Sequence, residues 1–310
     1  MKIGVTVPNG GALGTSDAAV LLAEHAERLG FDSVWVVDHV ILPHRSSQSY
    51  PYTKHTGFGL PHAWPFLDPL ITLAAIASRT TKVLLGTGVY LLPLRHPVVA
   101  AKMAASLDVL AHGRLLLGVG LGWIKEEYAV MGVPWESRGR LFDEQIDLLR
   151  TLWRDAAPSF QGEFWQVSDI GFEPKPPNGT IPLLIGGKEA PARRRAAKRG
   201  DGWYLIDMKP AEIEAAAAAL AEDCRAAGRD PAEVPLAMYA SIAIMDEDSL
   251  EADRDFPHSG SERQIAELLR AYRAAGLDHL VLAPRWLDNL ADYSAFYERV
   301  EKQILPELGR

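Results

Sequence analysis

Asp38 and His39 close an apolar run, SVWVVDH, and are the first residues in the chain whose types and spacing could do chemistry. If that run is a strand of a parallel barrel, its carboxyl end is where active-site groups gather. A carboxylate there can hold amides or a cation, and an imidazole can donate a hydrogen bond or pass a proton near neutral pH. The plainer reading has Asp38 capping backbone amides and His39 packing under a loop. Thr87, Gly88 and Val89 close a second run, VLLGTGV. A glycine at such an end lets a flat ligand approach the backbone, or forms a bulge. Gly118, Gly120 and Gly122, followed by Trp123, close a third, RLLLGVGLGW. Its GxGxG spacing lacks the third-glycine spacing of a dinucleotide fingerprint, and no acidic residue stands on a second strand where that fingerprint needs one. Gly186 and Gly187 close a fourth, PLLIGG, directly before a helical stretch from residue 190. Free amides at a helix start, helped by the helix dipole, hold anions. Gly186 and Gly187 are therefore candidate phosphate contacts, with Lys188, Arg193, Arg194 and Arg195 adding positive charge nearby or forming a solvated helix face.

Other reactive types carry less. His55 and His62 lack the carboxylate or cysteine spacing of a metal site, and no metal is expected. His25 lies on an apolar helix. Cys224 sits in an alanine-rich stretch with no basic neighbourhood to activate it. The chain has no GxSxG, paired thiols or P-loop.

These groups need elements to hold them, and the chain alternates strand and helix throughout. Strands are expected over residues 3–8, 33–39, 83–89, 114–120, 182–187, 202–206, 235–244 and 279–284. Helices are expected over 16–30, 67–78, 97–111, 137–154, 190–199, 210–228, 261–276 and 291–304. The strands are apolar on both faces, as in a parallel sheet covered by helices. Eight such cycles predict an α/β fold, a TIM (β/α)8 barrel, in a single domain over residues 1–310. Two segments interrupt the cycle. Residues 44–65, after strand two, carry Tyr52, His62 and Trp64 on the carboxyl side of the barrel. Residues 155–180, after the helix over 137–154, contain a possible strand pair, SFQGEFWQV. Long irregular segments in compact domains are usually functional.

A net charge of −8 argues against nucleic acid as a partner. A single cysteine cannot form an internal disulfide, which points to a reducing compartment. MKIGVTVP reads as a strand rather than a signal peptide, and no apolar run approaches membrane-spanning length. A cytoplasmic protein with no membrane partner is expected.

The chain resembles the luciferase-like monooxygenase superfamily of TIM-barrel flavoproteins, in particular its actinobacterial branch dependent on a deazaflavin, coenzyme F420. The marks are MKIGVTVP, GFDSVWVVDH, LLGTGVYLLPLRHPVVAAKMAASLDVLAHGRLLLGVGLGW, WESRGRLFDEQIDLLRTLW, the stretch from Gly162 to Phe164, and PLLIGGKEAPARRRAAKRGDGW. They cover nearly the whole chain. The resemblance implies a tricyclic cofactor at the carboxyl end of the barrel, with Asp38 and His39 beside the ring and His39 as proton donor or acceptor. It implies that Thr87, Gly88 and Val89 back the ring through a cis Gly88–Val89 peptide. Gly120, Gly122 and Trp123 would line the cofactor's side chain, and Gly186 and Gly187 would contact its phosphate. The chain departs from the deazaflavin-dependent sugar-phosphate dehydrogenases. Trp123 stands where they carry a glutamate after the strand-four glycines, and VILPHR lacks their tryptophan shortly after the strand-two histidine. Sugar-phosphate oxidation is not expected. Trp64, His62 and Tyr52 are instead expected to line a fairly apolar pocket for a small organic substrate. The expected function is hydride transfer with coenzyme F420. The alternatives are an FMN-dependent monooxygenase and a non-catalytic flavin-binding protein. The resemblance also implies a homodimer.

Overall fold

The computed structural model describes residues 1–15, 17–46, 61–248, 258–284 and 287–309. The expected apolar runs form eight parallel strands: β1 Lys2–Thr6, β2 Ser33–Val36, β3 Leu84–Thr87, β4 Leu115–Gly120, β5 Leu183–Gly186, β6 Gly202–Ile206, β7 Leu236–Ile244 and β8 His279–Pro284. Each pairs with the next, and β8 pairs with β1, so the sheet closes into a barrel. Closure leaves these strands without a free edge.

Helices surround it: α1 Ala18–Arg28, α2 Pro69–Ala77, α3 Pro97–Leu110, α4 Lys125–Val130, α5 Arg138–Arg154, α6 Ala190–Arg199, α7 Pro210–Ala226, α8 Glu262–Ala274 and α9 Leu290–Arg299. Their ends follow local chemistry. Asp68 accepts from the Leu70 and Ile71 amides to start α2, with Pro69 in its first turn. Ser261 and Gln264 cap α8 reciprocally. Leu22, Leu73, Ile76, Phe142, Ile146 and Trp153 are among the buried side chains of the large core cluster.

The barrel interior is filled across its width. Trp35, from β2, stacks on Tyr204, from β6, with ring centres 5.0 Å apart. Glycines make the room: a Cβ on Gly86 would lie 2.3 Å from the Trp35 ring, and one on Gly4 would lie 2.1 Å from the Ser33 hydroxyl. The Trp35 indole N–H donates to Ser33 Oγ at 2.7 Å, and Ser33 Oγ lies 2.7 Å from His279 Nε2. Burial lowers the His279 imidazole to about 4, so it is neutral at physiological pH.

Several details differ from the sequence reading. β2 ends at Val36, so Asp38 and His39 lie just beyond it. The third strand stops at Thr87 and resumes as Tyr90–Leu91, which pairs with Val119 and Gly120. The two pieces are separated by the Gly88–Val89 peptide, which is cis as the resemblance implied. Another is α4, which the sequence reading did not include.

Residues 155–180 contain the antiparallel pair Phe160–Gln161 and Gln166–Val167. The Glu144 carboxylate of α5 holds its turn, accepting from the amides of Glu163, Phe164 and Trp165. Lys175 then donates to the Leu152 and Asp155 carbonyls, and Asn178 reaches Gly113. The segment thus runs along the outside of the barrel toward the amino end of β4.

Candidate functional site

The carboxyl ends of β2 to β5 bring most of the expected residues to one mouth. Asp38 is buried, and its oxygens are taken by the protein itself. Arg95 donates to both of them, with Nη2 2.8 Å from Oδ1, and the Leu91 amide donates to Oδ2 at 2.8 Å. Burial pushes the Asp38 carboxyl up, and the Arg95 guanidinium and the Leu91 amide pull it back. Arg95 also lies over the Tyr90 ring, 4.4 Å from its centre. Asp38 therefore ties the exit of β2 to the chain leaving β3.

His39 stands beside this lock. Its Nδ1 is 3.3 Å from Glu127 Oε2, and its ring meets Phe66 edge-to-face at 5.5 Å. Glu127, on α4, has a side chain only 1% exposed against 14% for His39. The other Glu127 oxygen accepts from the Val40 amide at 2.9 Å and the Ile41 amide at 3.4 Å. Asn9, fully buried, donates to the Val37 and Leu67 carbonyls and accepts from the Val37 amide. It clamps the strand that leads to His39 against the segment that carries Phe66.

The third wall is a bare peptide. Gly88 and Val89 are half-buried, whereas Thr87 and Tyr90 on either side are buried. Thr87 Oγ1 donates to the Gly118 carbonyl at 2.8 Å. A Cβ on Gly88 would lie 2.7 Å from the Tyr204 hydroxyl, so there is no room for a side chain there. That hydroxyl is buried without a hydrogen-bond partner among the described residues. Val89 lodges between glycines: Cβ atoms on Gly120 and Gly186 would lie 2.6 and 2.8 Å from its methyl groups. These two glycines thus serve packing within the protein, a role the sequence reading did not give them. Gly122 has a φ of +72°, and Trp123 beside it is half-buried.

Gly187 departs from its expected part. Its amide donates to the Tyr204 carbonyl at 3.1 Å, and its own carbonyl accepts from the Trp203 indole at 2.6 Å. It is bonded into the rim rather than presenting its N–H outward. The helix start remains beside it: α6 opens three residues on, and Glu189 gives it no side-chain cap. The arginines are corrected too. Arg193 pairs with Asp223 of α7, and Arg195 pairs with Asp143 of α5, so both join helices to one another. Arg194 is exposed.

In the segment after β2, His62 is exposed and its ring centre lies 3.9 Å from that of His44. Trp64 is half-buried, two residues before Phe66. Tyr52, like His55, lies outside the described residues. Across the barrel, Asp207 follows β6 and accepts from the Ser241 amide and hydroxyl at 2.6 and 2.8 Å. Buried His258 lies 3.5 Å from Asp207, and its Nδ1 is 3.2 Å from the Tyr272 hydroxyl. Sequence reasoning missed Arg95, Glu127, Asn9 and Phe66. The available signal was that a carboxylate at a strand end must find donors.

Residues 1–273 match a known protein family, described as luciferase-like monooxygenase. The chain belongs to the luciferase-like monooxygenase family. An uncharacterized relative from Mycobacterium tuberculosis is 36% identical over 193 residues, 62% of this chain and 66% of its own length. This chain therefore spans a little under two thirds of that relative. An F420-dependent glucose-6-phosphate dehydrogenase from Beutenbergia cavernae is 31% identical over 91% of this chain and 90% of its own. Among solved structures, the monooxygenase RslO1 from Streptomyces bottropensis superposes with a TM-score of 0.79 at 22% identity, covering 99% of this chain and 100% of its own. An F420-dependent secondary alcohol dehydrogenase superposes at 0.77 and 20% identity, covering 99% of this chain and 98% of its own. At those identities the structures support the barrel. The luciferase-like family as such is an oxidoreductase and monooxygenase family with F420-dependent members.

Proposed function

We propose that this luciferase-like protein transfers hydride between coenzyme F420 and a small, fairly apolar organic substrate. The observation that carries the reading is the half-buried Gly88–Val89 peptide, a backbone surface among buried neighbours at the end of β3, beside the exit of β2 that leads to His39. A tricyclic ring needs such a surface to lie against. The match with the Beutenbergia dehydrogenase along nearly the whole chain favours a deazaflavin as that ring.

In this reading Thr87, Gly88 and Val89 back the ring, Gly120, Gly122 and Trp123 border its side chain, and the first turn of α6 after Gly186 and Gly187 takes its phosphate. The bound group supplies a two-electron hydride position. The protein's part is to fix a substrate carbon at van der Waals distance from it, keep water away, and move the accompanying proton at His39. Trp123 and Trp64 give the pocket an aromatic, weakly polar wall, which suits a small apolar substrate better than a sugar phosphate. Ile71, Val99 and Leu110 expose apolar side chains on adjacent α2 and α3, and a second copy covering them would make a homodimer. Among the described residues no helix is long and apolar enough to cross a membrane.

Parallel calorimetric titrations of the ligand-free protein with F420 and with FMN test the reading, with light scattering on the same samples. Binding of F420 at micromolar or better, about −8 kcal/mol, with FMN much weaker and a mass of two chains, is the expected result. Selective FMN binding would replace hydride transfer with an oxygen-dependent reaction, and binding of neither would remove the cofactor assignment.

A further inference from the structure

We propose that Glu127 is a positioning residue that fixes the tautomer of His39, so that His39 acts through Nε2. Glu127 is a carboxylate with a side chain 1% exposed, reaching 88 positions back along the chain to a histidine at the mouth. A buried carboxylate is tolerated only when its oxygens are satisfied. Both Val40 and Ile41 amides donate to Oε1, which makes that oxygen an acceptor. Oε2 faces His39 Nδ1 at 3.3 Å, and a carboxylate can only accept there. The neutral imidazole must then carry its proton on Nδ1. The lone pair is left on Nε2, the nitrogen on the other side of the ring.

The same contacts fix the ring's place. Glu127 holds the backbone directly after His39 with one oxygen and the ring with the other, while the Phe66 ring lies at 87° to the imidazole. Position and tautomer therefore have one source. With the lone pair on Nε2, His39 can take a proton from a substrate hydroxyl there. The imidazolium so formed stays against Glu127, and the reverse reaction returns the proton from the same nitrogen. The use of Nε2 rests on the hydride-transfer reading above; the tautomer does not.

Glu127→Gln makes a sharp test because it keeps the shape. The Val40 and Ile41 amides still require an acceptor, so the amide oxygen takes the Oε1 place and the NH2 group faces Nδ1. A donor there demands the opposite tautomer, with the proton on Nε2. Nitrogen NMR of histidine-labelled, ligand-free protein reads this directly, with His39→Asn identifying the His39 signals. The expected result is a neutral His39 protonated at Nδ1 in the native protein and at Nε2 in E127Q. A native His39 protonated at Nε2, or a tautomer unchanged in E127Q, would overturn the proposal. The native spectrum alone decides it should E127Q fail to fold. With F420 and a substrate in hand, E127Q should lose turnover by roughly 10²- to 10⁴-fold, the usual contribution of a positioned acid or base, with KM little changed. If the hydride reading fails, neither protein turns over and the tautomer result still stands.

Discussion

Asp38 and Arg95 carry the structural load at the mouth, and in the proposed reading His39 and Glu127 carry the chemical one. The Asp38 carboxylate is buried, and Arg95 supplies a forked pair of donors to it. Removing Arg95 leaves that charge without its partner, so Arg95→Ala should cost about 3–5 kcal/mol, read from urea unfolding of the ligand-free protein. Arg95→Lys keeps the charge but loses the fork, and its midpoint should fall between the two. His279 makes a second prediction. Its folded value, about 4, lies below the 6.5 of an exposed imidazole. The unfolded chain therefore takes up the proton first, and stability falls as pH drops from 6.5 toward 4. This group alone removes about 3 kcal/mol over that window. His279→Gln should flatten that part of the profile in thermal melts across the same pH range. At this scale the sequence was half legible. Asp38 and His39 stood out as polar residues ending an apolar run. Their partners, 57 and 88 positions away, follow no local pattern and are found only once the barrel folds.

The strands that place these residues depend on glycines in two different ways. Gly118 has the Thr87 carbonyl oxygen 2.0 Å from where a Cβ would sit, and a backbone atom cannot move aside as a side-chain tip can. Gly120 faces a Val89 methyl at 2.6 Å, and Gly171 faces nothing within 4 Å. Gly118→Ala should therefore cost the most stability, Gly120→Ala about 1–3 kcal/mol of overpacking, and Gly171→Ala little, in parallel unfolding curves. A role purely in admitting a ligand would instead leave the ligand-free stability of the first two unchanged. Elements were largely readable because long apolar runs and caps are local signals. The exceptions have physical causes. α4 is six residues long, too short to show a helical period. The third strand reads as one run because VLLGTGVYL stays apolar through the break at Gly88–Val89. The helix before β6 displays three arginines that look like an anion site, yet two of them serve as ties to neighbouring helices.

For the whole molecule, eight strand–helix cycles in the sequence named the architecture, because that count of apolar runs leaves few alternatives to a closed barrel. What the count did not contain is how the interior is filled, by Trp35 and Tyr204 against small residues on facing strands. That layer lies beneath the mouth and supports the bare peptide from below, so the floor of the site and the centre of the barrel are one packed body. The order of pairing has a further consequence. β1 lies between β2 and β8, with Gly4 opposite Ser33 on one side and Val281 on the other. On a ribosome β1 is made before the other seven barrel strands and meets its second neighbour only when residue 284 has emerged. At about 5–20 residues per second, that wait is on the order of tens of seconds. Throughout it, β1 offers an unpaired edge to whatever strand is nearby. Crowded polysomes, where several such edges are exposed together, are the setting in which this protein is most open to pairing with the wrong chain.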